Sequence, residues 1–200
     1  MLRKGLCSMP EKHEKAKERI IVGISGSSGS ILGIRFLEVM KNLGTETHVV
    51  ISDTAKKLIE HETSYNVRDV EKLASKVYGY KDFFAAIASG SFRAKGMVII
   101  PCSMKTLAGI ASGYSDNLML RAADVCLKEW RKLVLVARET PLSLIHIENM
   151  RRVTLAGGVI LPPILTMYSK PKSIDEMVNH IIGKVLDSLG IENRIYKRWM

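Results

Sequence analysis

Ile20-Ile21-Val22-Gly23-Ile24 runs into Ser25-Gly26-Ser27-Ser28-Gly29-Ser30, and the change of pattern at Ser25 sets the architecture. The first five residues form a largely β-branched apolar run, the mark of a strand buried on both faces. A Gly/Ser turn breaks it. Ile31, Ile34, Leu37 and Val39-Met40 then recur near helical spacing up to Leu43, and Gly44 ends that segment. The reading is strand, small-residue turn, helix.

Working outward, the same unit repeats. Thr47–Ile51 reads as a second strand, with a helix capped by Ser52 or Asp53 behind it. Residues 64–95 are less regular, with a helical pattern over Val67–Val77. Met97–Ile100 is a third buried strand closed by Pro101. A helix starts near Ser103 and another runs from about Asp116 to Trp130. Leu133–Val136 is a fourth strand, 143–156 a helix, and Gly158–Leu161 a fifth strand before Pro162-Pro163. In the last helix Ser173 and Glu176 form a capping box and Gly190 follows the end. Ile174, Met177, Val178, Ile181, Ile182, Val185 and Leu189 make its apolar stripe. Strands alternating with helices predict one α/β domain over residues 19–200, a doubly wound parallel sheet of the flavodoxin or Rossmann type. Residues 1–18 are polar and charged, and read as a leader or as an alternative start before Met9.

Composition narrows the function classes. Of 200 residues, 46% are hydrophobic and 25% charged, which excludes a disordered or collagen-like chain. No apolar run approaches the roughly 18 residues of a membrane span. Glu11, Glu14 and Glu18 oppose a transit-peptide reading of the basic start. Three cysteines (Cys7, Cys102, Cys126) cannot make a full disulfide set, show no paired metal-ligand spacing and predict a reduced, cytoplasmic protein. The net charge of +10 calls for acidic partners. The basic residues are scattered and no nucleic-acid motif accompanies them, so phosphorylated small molecules fit as well as DNA or RNA.

Four places carry chemistry. The Gly23–Gly29 loop opens a helix at a strand end, where glycines admit a ligand and helix N–H groups attract phosphate; a tight turn with a Ser cap and no ligand is the plainer alternative. Pro101-Cys102-Ser103-Met104-Lys105-Thr106 repeats that design, and Cys102 reads either as a nucleophile or as a small core residue. Arg121, Asp124 and Lys128 share a helix face, where an Asp124–Lys128 pair is the bland reading; Arg138-Glu139 places charge directly after an apolar strand. Tyr168 follows Pro162-Pro163, and Lys184 flanks the stripe of the last helix, as a site residue or a snorkelling lysine.

These segments, with Ala88-Ser89-Gly90-Ser91-Phe92, Met97–Thr106, Arg121–Lys128, Leu133–Pro141 and Val159–Tyr168, resemble the UbiX-type flavin prenyltransferases over about residues 19–200. The resemblance implies a flavodoxin-like fold, a large homo-oligomer (typically a dodecamer) with sites between subunits, and no metal. It implies transfer of a dimethylallyl group from dimethylallyl monophosphate to N5 and C6 of reduced FMN. The product, prenylated FMN, serves UbiD-type decarboxylases in ubiquinone synthesis or aromatic-acid decarboxylation.

By the same resemblance, Gly26, Ser27, Ser28, Ser52, Ser103, Met104, Lys105, Thr106 and Arg138 match FMN-binding positions. Tyr168 and Lys184 match the pair that holds the prenyl phosphate, with lysine where arginine is common, so charge is kept but not a bidentate fork. Ser28, Glu62, Arg121, Lys128 and Glu139 match polar groups around the reacting atoms. Arg121 and Lys128 suit the leaving phosphate, Glu139 and Ser28 proton handling. Phe83 stands where some relatives carry Trp, and Trp199 matches an aromatic near the carboxyl end. Two rivals share the fold or the ligand: an FMN-dependent cysteine decarboxylase, which would carry a PxMNxxMW-type segment that is absent here, and a non-catalytic FMN carrier.

Overall fold

The computed structural model describes residues 18–199. The expected leader therefore lies outside the described residues, apart from Glu18, whose carboxylate pairs with Lys95 at 2.8 Å. The order is β1 (Arg19–Ile24), α1 (Ser30–Asn42), β2 (Glu46–Ile51), α2 (Asp53–Glu62), α3 (Val67–Glu71) and β3 (Lys76–Tyr78). Then come β4 (Gly96–Cys102), α4 (Met104–Ser112), α5 (Leu118–Lys128), β5 (Lys132–Ala137), α6 (Leu144–Leu155), β6 (Val159–Ile160) and α7 (Ile174–Leu189). The sheet runs β3-β2-β1-β4-β5-β6, with every pair parallel. The direction of winding reverses between β1 and β4, and a ligand cleft is expected beyond those strand ends.

The apolar strands follow from burial on two faces. Side chains alternate along a strand. Ile20, Val22, Ile24, Val98, Ile100, Val134 and Val136 pack with α1, α2 and α7. Ile21, Met97, Ile99, Leu133 and Leu135 pack on the other side with α4, α5 and α6. A single slip of register would leave both layers intact in polarity but not in shape, so side-chain fit sets the pairing.

Four expectations change. The helical pattern over Val67–Val77 resolves into the five-residue α3 and the three-residue β3. Asn66 caps α3, but β3 is an edge strand with only Tyr78 buried, so it lacks the apolar run that marks a strand. That makes six strands among the described residues, not five. Pro101 does not close its strand: β4 continues to Cys102, and the pairing with β5 shifts between Ile99 and Cys102, where a proline is tolerated. The reciprocal capping box lies on α6, between Ser143 and His146. On α7 Ser173 accepts from Glu176 N at 3.2 Å, but Glu176 accepts from Lys172 N instead of the cap. Such caps contribute about 1 kcal/mol each. No helix among the described residues is long and apolar enough to cross a membrane.

Candidate functional site

The loops after β1, β2, β4 and β5 are tied together by short bonds. Ser25 Oγ donates to Pro101 O at 3.0 Å and accepts from Ser103 N at 2.8 Å. Ser52 N donates to Ile24 O, and Arg138 N to Cys102 O. Ser27 Oγ donates to Arg138 O at 3.0 Å. Ser28 and Ser103 therefore follow adjacent strands, not opposite edges of the sheet.

These loops surround a cleft of about 380 Å³ lined by Gly26, Ser52, Asp53, Thr54, Tyr80, Ser103, Met104, Lys105, Thr106 and Glu139. Six of the residues matched to FMN are in it, with Glu139. Ser27, Ser28 and Arg138 stand beside it, in the loops that form its wall. Ser52 caps α2 through Ala55 N and Ser103 caps α4 through Thr106 N, so both helix starts open toward the cleft with unpaired N–H groups. That arrangement suits a phosphate. Gly26 is required by close approach: a Cβ there would lie 2.6 Å from the Thr54 side chain. The donors, the cation of Lys105 and the glycine cradle fit a flavin nucleotide. Thr54 and Tyr80 carry no mark in the sequence reading, and Asp53 appears there only as an alternative helix cap. Asp53 and Thr54 follow β2 by the rule that marked Ser52; Tyr80 lies in the aperiodic segment and carried no signal.

The start of α1 is already filled. Gly29 sits in the left-handed region (φ 100°) and offers no side-chain cap. Glu62, at the end of α2, supplies it: one carboxylate oxygen accepts from Gly29 N at 2.9 Å and Ser30 N at 3.0 Å. Burial alone would raise this carboxyl. The bonds from Ser30, Ser28 and Gly29 outweigh it and hold Glu62 below the usual carboxylate range. An anionic cap at a helix N-terminus repels a second anion. The phosphate-seeking ends are therefore α2 and α4, and Glu62 touches the loop carrying Ser28 rather than lining the cleft.

The remaining candidates lie on other surfaces of the chain. Arg121 Nε donates to Ala88 O at 3.1 Å, and its guanidinium pairs with Asp124 at 2.6 Å. Lys128 pairs with Glu129, not with Asp124 as expected. Arg131 holds the same 88–92 loop through Gly90 O and Phe92 O. Tyr168 donates to Lys197 O at 3.4 Å and meets the Trp199 ring at 5.2 Å. Lys184 is exposed on α7, near His180, whose pKa is lowered first by burial and then by that cation. Phe83 is exposed. Cys102 is fully buried with its thiol pushed up by desolvation, and Cys126 is pushed up to about 12 by the same cause, so both are core residues and not nucleophiles. Among the described residues no group of three or more His, Cys, Asp or Glu could hold a metal.

Fold and cleft define the class: a doubly wound α/β protein of the flavodoxin-like type, with a nucleotide cleft at its switch point. The Flavoprotein family model matches residues 8–186. The chain is 52% identical over 182 residues to a probable UbiX-like flavin prenyltransferase of Sedimentibacter hydroxybenzoicus, covering 90% of this chain and 96% of the relative. It superposes at a TM-score of 0.91 and 47% identity on AnUbiX (PadA1) in complex with FMN and dimethylallyl pyrophosphate, covering 92% and 98% of the two chains. A dodecameric FMN-dependent UbiX-like decarboxylase from Escherichia coli O157:H7 gives 0.89 and 49%, covering 91% and 99%. The chain belongs to the Flavoprotein family, among its UbiX-type flavin prenyltransferases.

Proposed function

We propose that this flavin prenyltransferase joins the dimethylallyl group of dimethylallyl monophosphate to N5 and C6 of reduced FMN, in a site completed by neighbouring subunits of a homododecamer. One observation carries the reading. The FMN-matched residues meet in a single cleft, while Arg121 with Lys128, and Tyr168 with Lys184, stand on two separate surfaces of the same chain. Neither pair lines that cleft, and in this reading a second copy of the chain brings them to it. The dodecameric relative and the relative in complex with FMN and dimethylallyl pyrophosphate support this reading. So do the large apolar side chains left exposed on and near α6, among them Leu144, Ile145, Leu155, Ile164 and Met167.

Reduced FMN, when bound, supplies the nucleophilic nitrogen and the ring carbon that accept the prenyl group. The protein's part is positioning and charge. Ser52, Ser103, Lys105 and Thr106, with the α2 and α4 starts, hold the flavin phosphate. Breaking the allylic C–O bond concentrates negative charge on the departing phosphate, which Arg121, Lys128, Lys184 and the Tyr168 hydroxyl stabilise. Glu139, which lines the cleft, is the proton acceptor, and Ser28, in the loop that the Glu62 carboxylate holds, relays or holds a proton. The product passes to a UbiD-type decarboxylase in the cytoplasm. A non-catalytic carrier would not need the second set of cations.

Mass spectrometry of the flavin after anaerobic incubation with reduced FMN tests the reaction, with dimethylallyl monophosphate and pyrophosphate offered separately. A gain of one five-carbon unit with the monophosphate is expected. A gain with the pyrophosphate alone would move the donor assignment, and unchanged FMN with both would leave a carrier.

A further inference from the structure

The carboxyl-terminal tail folds back over α7 onto one carboxylate. Arg198 grips Asp187 as a fork, at 2.8 and 2.9 Å. The Tyr196 hydroxyl donates to the same group at 2.6 Å and the Asn193 amide at 2.9 Å. Three side chains thus converge on an acceptor that is three-quarters buried. The Tyr196 ring lies over Gly183, where a Cβ would overlap it, and the Arg198 guanidinium stacks on that ring at 4.9 Å. Tyr196 stands edge-on to His180 at 4.8 Å, and His180 edge-on to Tyr168 at 5.7 Å. From the other side, Lys197 O and the Trp199 ring meet Tyr168.

Tyr168 needs this support. It sits in a stretch after β6 that has neither helix nor strand. Its ring contacts are His180, on which the tail packs, and Trp199 of the tail itself. Its only described hydrogen bond, at 3.4 Å, is long enough to be exchanged for a phosphate oxygen. We infer that Asp187 is a positioning residue for the prenyl-phosphate site: its carboxylate fastens the tail through Arg198, Tyr196 and Asn193, and the fastened tail aims Tyr168. This rests on the reading that Tyr168 contacts the donor phosphate.

The test is steady-state kinetics against dimethylallyl monophosphate, alongside FMN titration of the full chain. Asp187→Asn keeps the shape and removes the charge; Arg198→Gln cuts the clasp from its exposed end without touching α7. Both are expected to raise KM for the prenyl phosphate by about tenfold, the worth of one charge-assisted hydrogen bond, and to leave FMN affinity unchanged. Asp187→Glu should restore most of it. Tyr168→Phe separates the two layers of the argument. If Tyr168→Phe raises KM and the clasp variants do not, the positioning role is overturned and the Tyr168 reading stands. If Tyr168→Phe leaves KM unchanged, the reading beneath falls and the inference with it. Parallel loss of FMN binding in both clasp variants would mark a merely structural role and overturn the inference too.

Discussion

Ser25 and Ser103 meet where the winding of the sheet reverses, the buried hydroxyl of Ser25 accepting from Ser103 N at 2.8 Å while donating to Pro101 O at 3.0 Å. One hydroxyl therefore sets the distance between the loops after β1 and β4. Those loops carry half of the residues that line the cleft. Ser25→Ala leaves the Ser103 amide without this partner, which costs roughly 1–3 kcal/mol. Urea unfolding should report that loss, and FMN titration should show weaker binding.

Gly26→Ala is expected to act on the ligand rather than on the core. Its methyl would press on the Thr54 side chain at 2.6 Å, and the start of α2, which lines the cleft, would have to shift. FMN affinity should fall strongly. Adding Thr54→Gly, which removes the obstructing side chain, should recover part of it in the same titration.

Glu62 gives a pH-dependent expectation. Its folded value is depressed, so its contribution to stability is present above the unfolded carboxylate value and is lost as pH falls through the lower folded one. Glu62→Gln removes a charged cap worth about 1 kcal/mol near neutrality. The stability gap between the two proteins, followed by urea unfolding from pH 7 down to pH 3, should close in acid.

Lys184 and Tyr168 should separate donor binding from flavin binding. Lys184→Ala should leave FMN bound and the yellow colour intact, yet reduce turnover at low prenyl phosphate by about tenfold or more if roughly 1.5–3 kcal/mol is lost. Lys184→Arg should keep or improve affinity through its fork. Release of FMN by Lys184→Ala, with donor dependence untouched, would make Lys184 a surface lysine.

The central strands were legible because burial on both faces forces unbroken apolar runs: Ile20–Ile24 and Met97–Ile100 can be little else. Edge strand β3 was not, since Lys76 and Val77 are exposed and the periodicity of Val67–Glu71 runs straight into them. Ser52 and Ser103 were visible as hydroxyls at strand ends. Glu62 was visible only through the resemblance, as a group near the reacting atoms; its capping of α1, 33 residues back from it in sequence at Gly29, is a tertiary contact with no local pattern. The Asp187 clasp likewise joins residues 11 positions apart through the fold of the tail.

Subunit complementation separates a site shared between subunits from one contained in a single chain. Glu139→Gln disables the cleft and Lys184→Ala weakens the prenyl-phosphate surface; at low prenyl phosphate each alone should prenylate FMN at about a tenth of the wild-type rate or less. Co-expressed in one assembly, they should regain about a quarter of wild-type activity, because random assortment pairs an intact cleft with an intact neighbouring surface at that frequency. Mixed assemblies no more active than the separate variants would contradict a site shared between subunits.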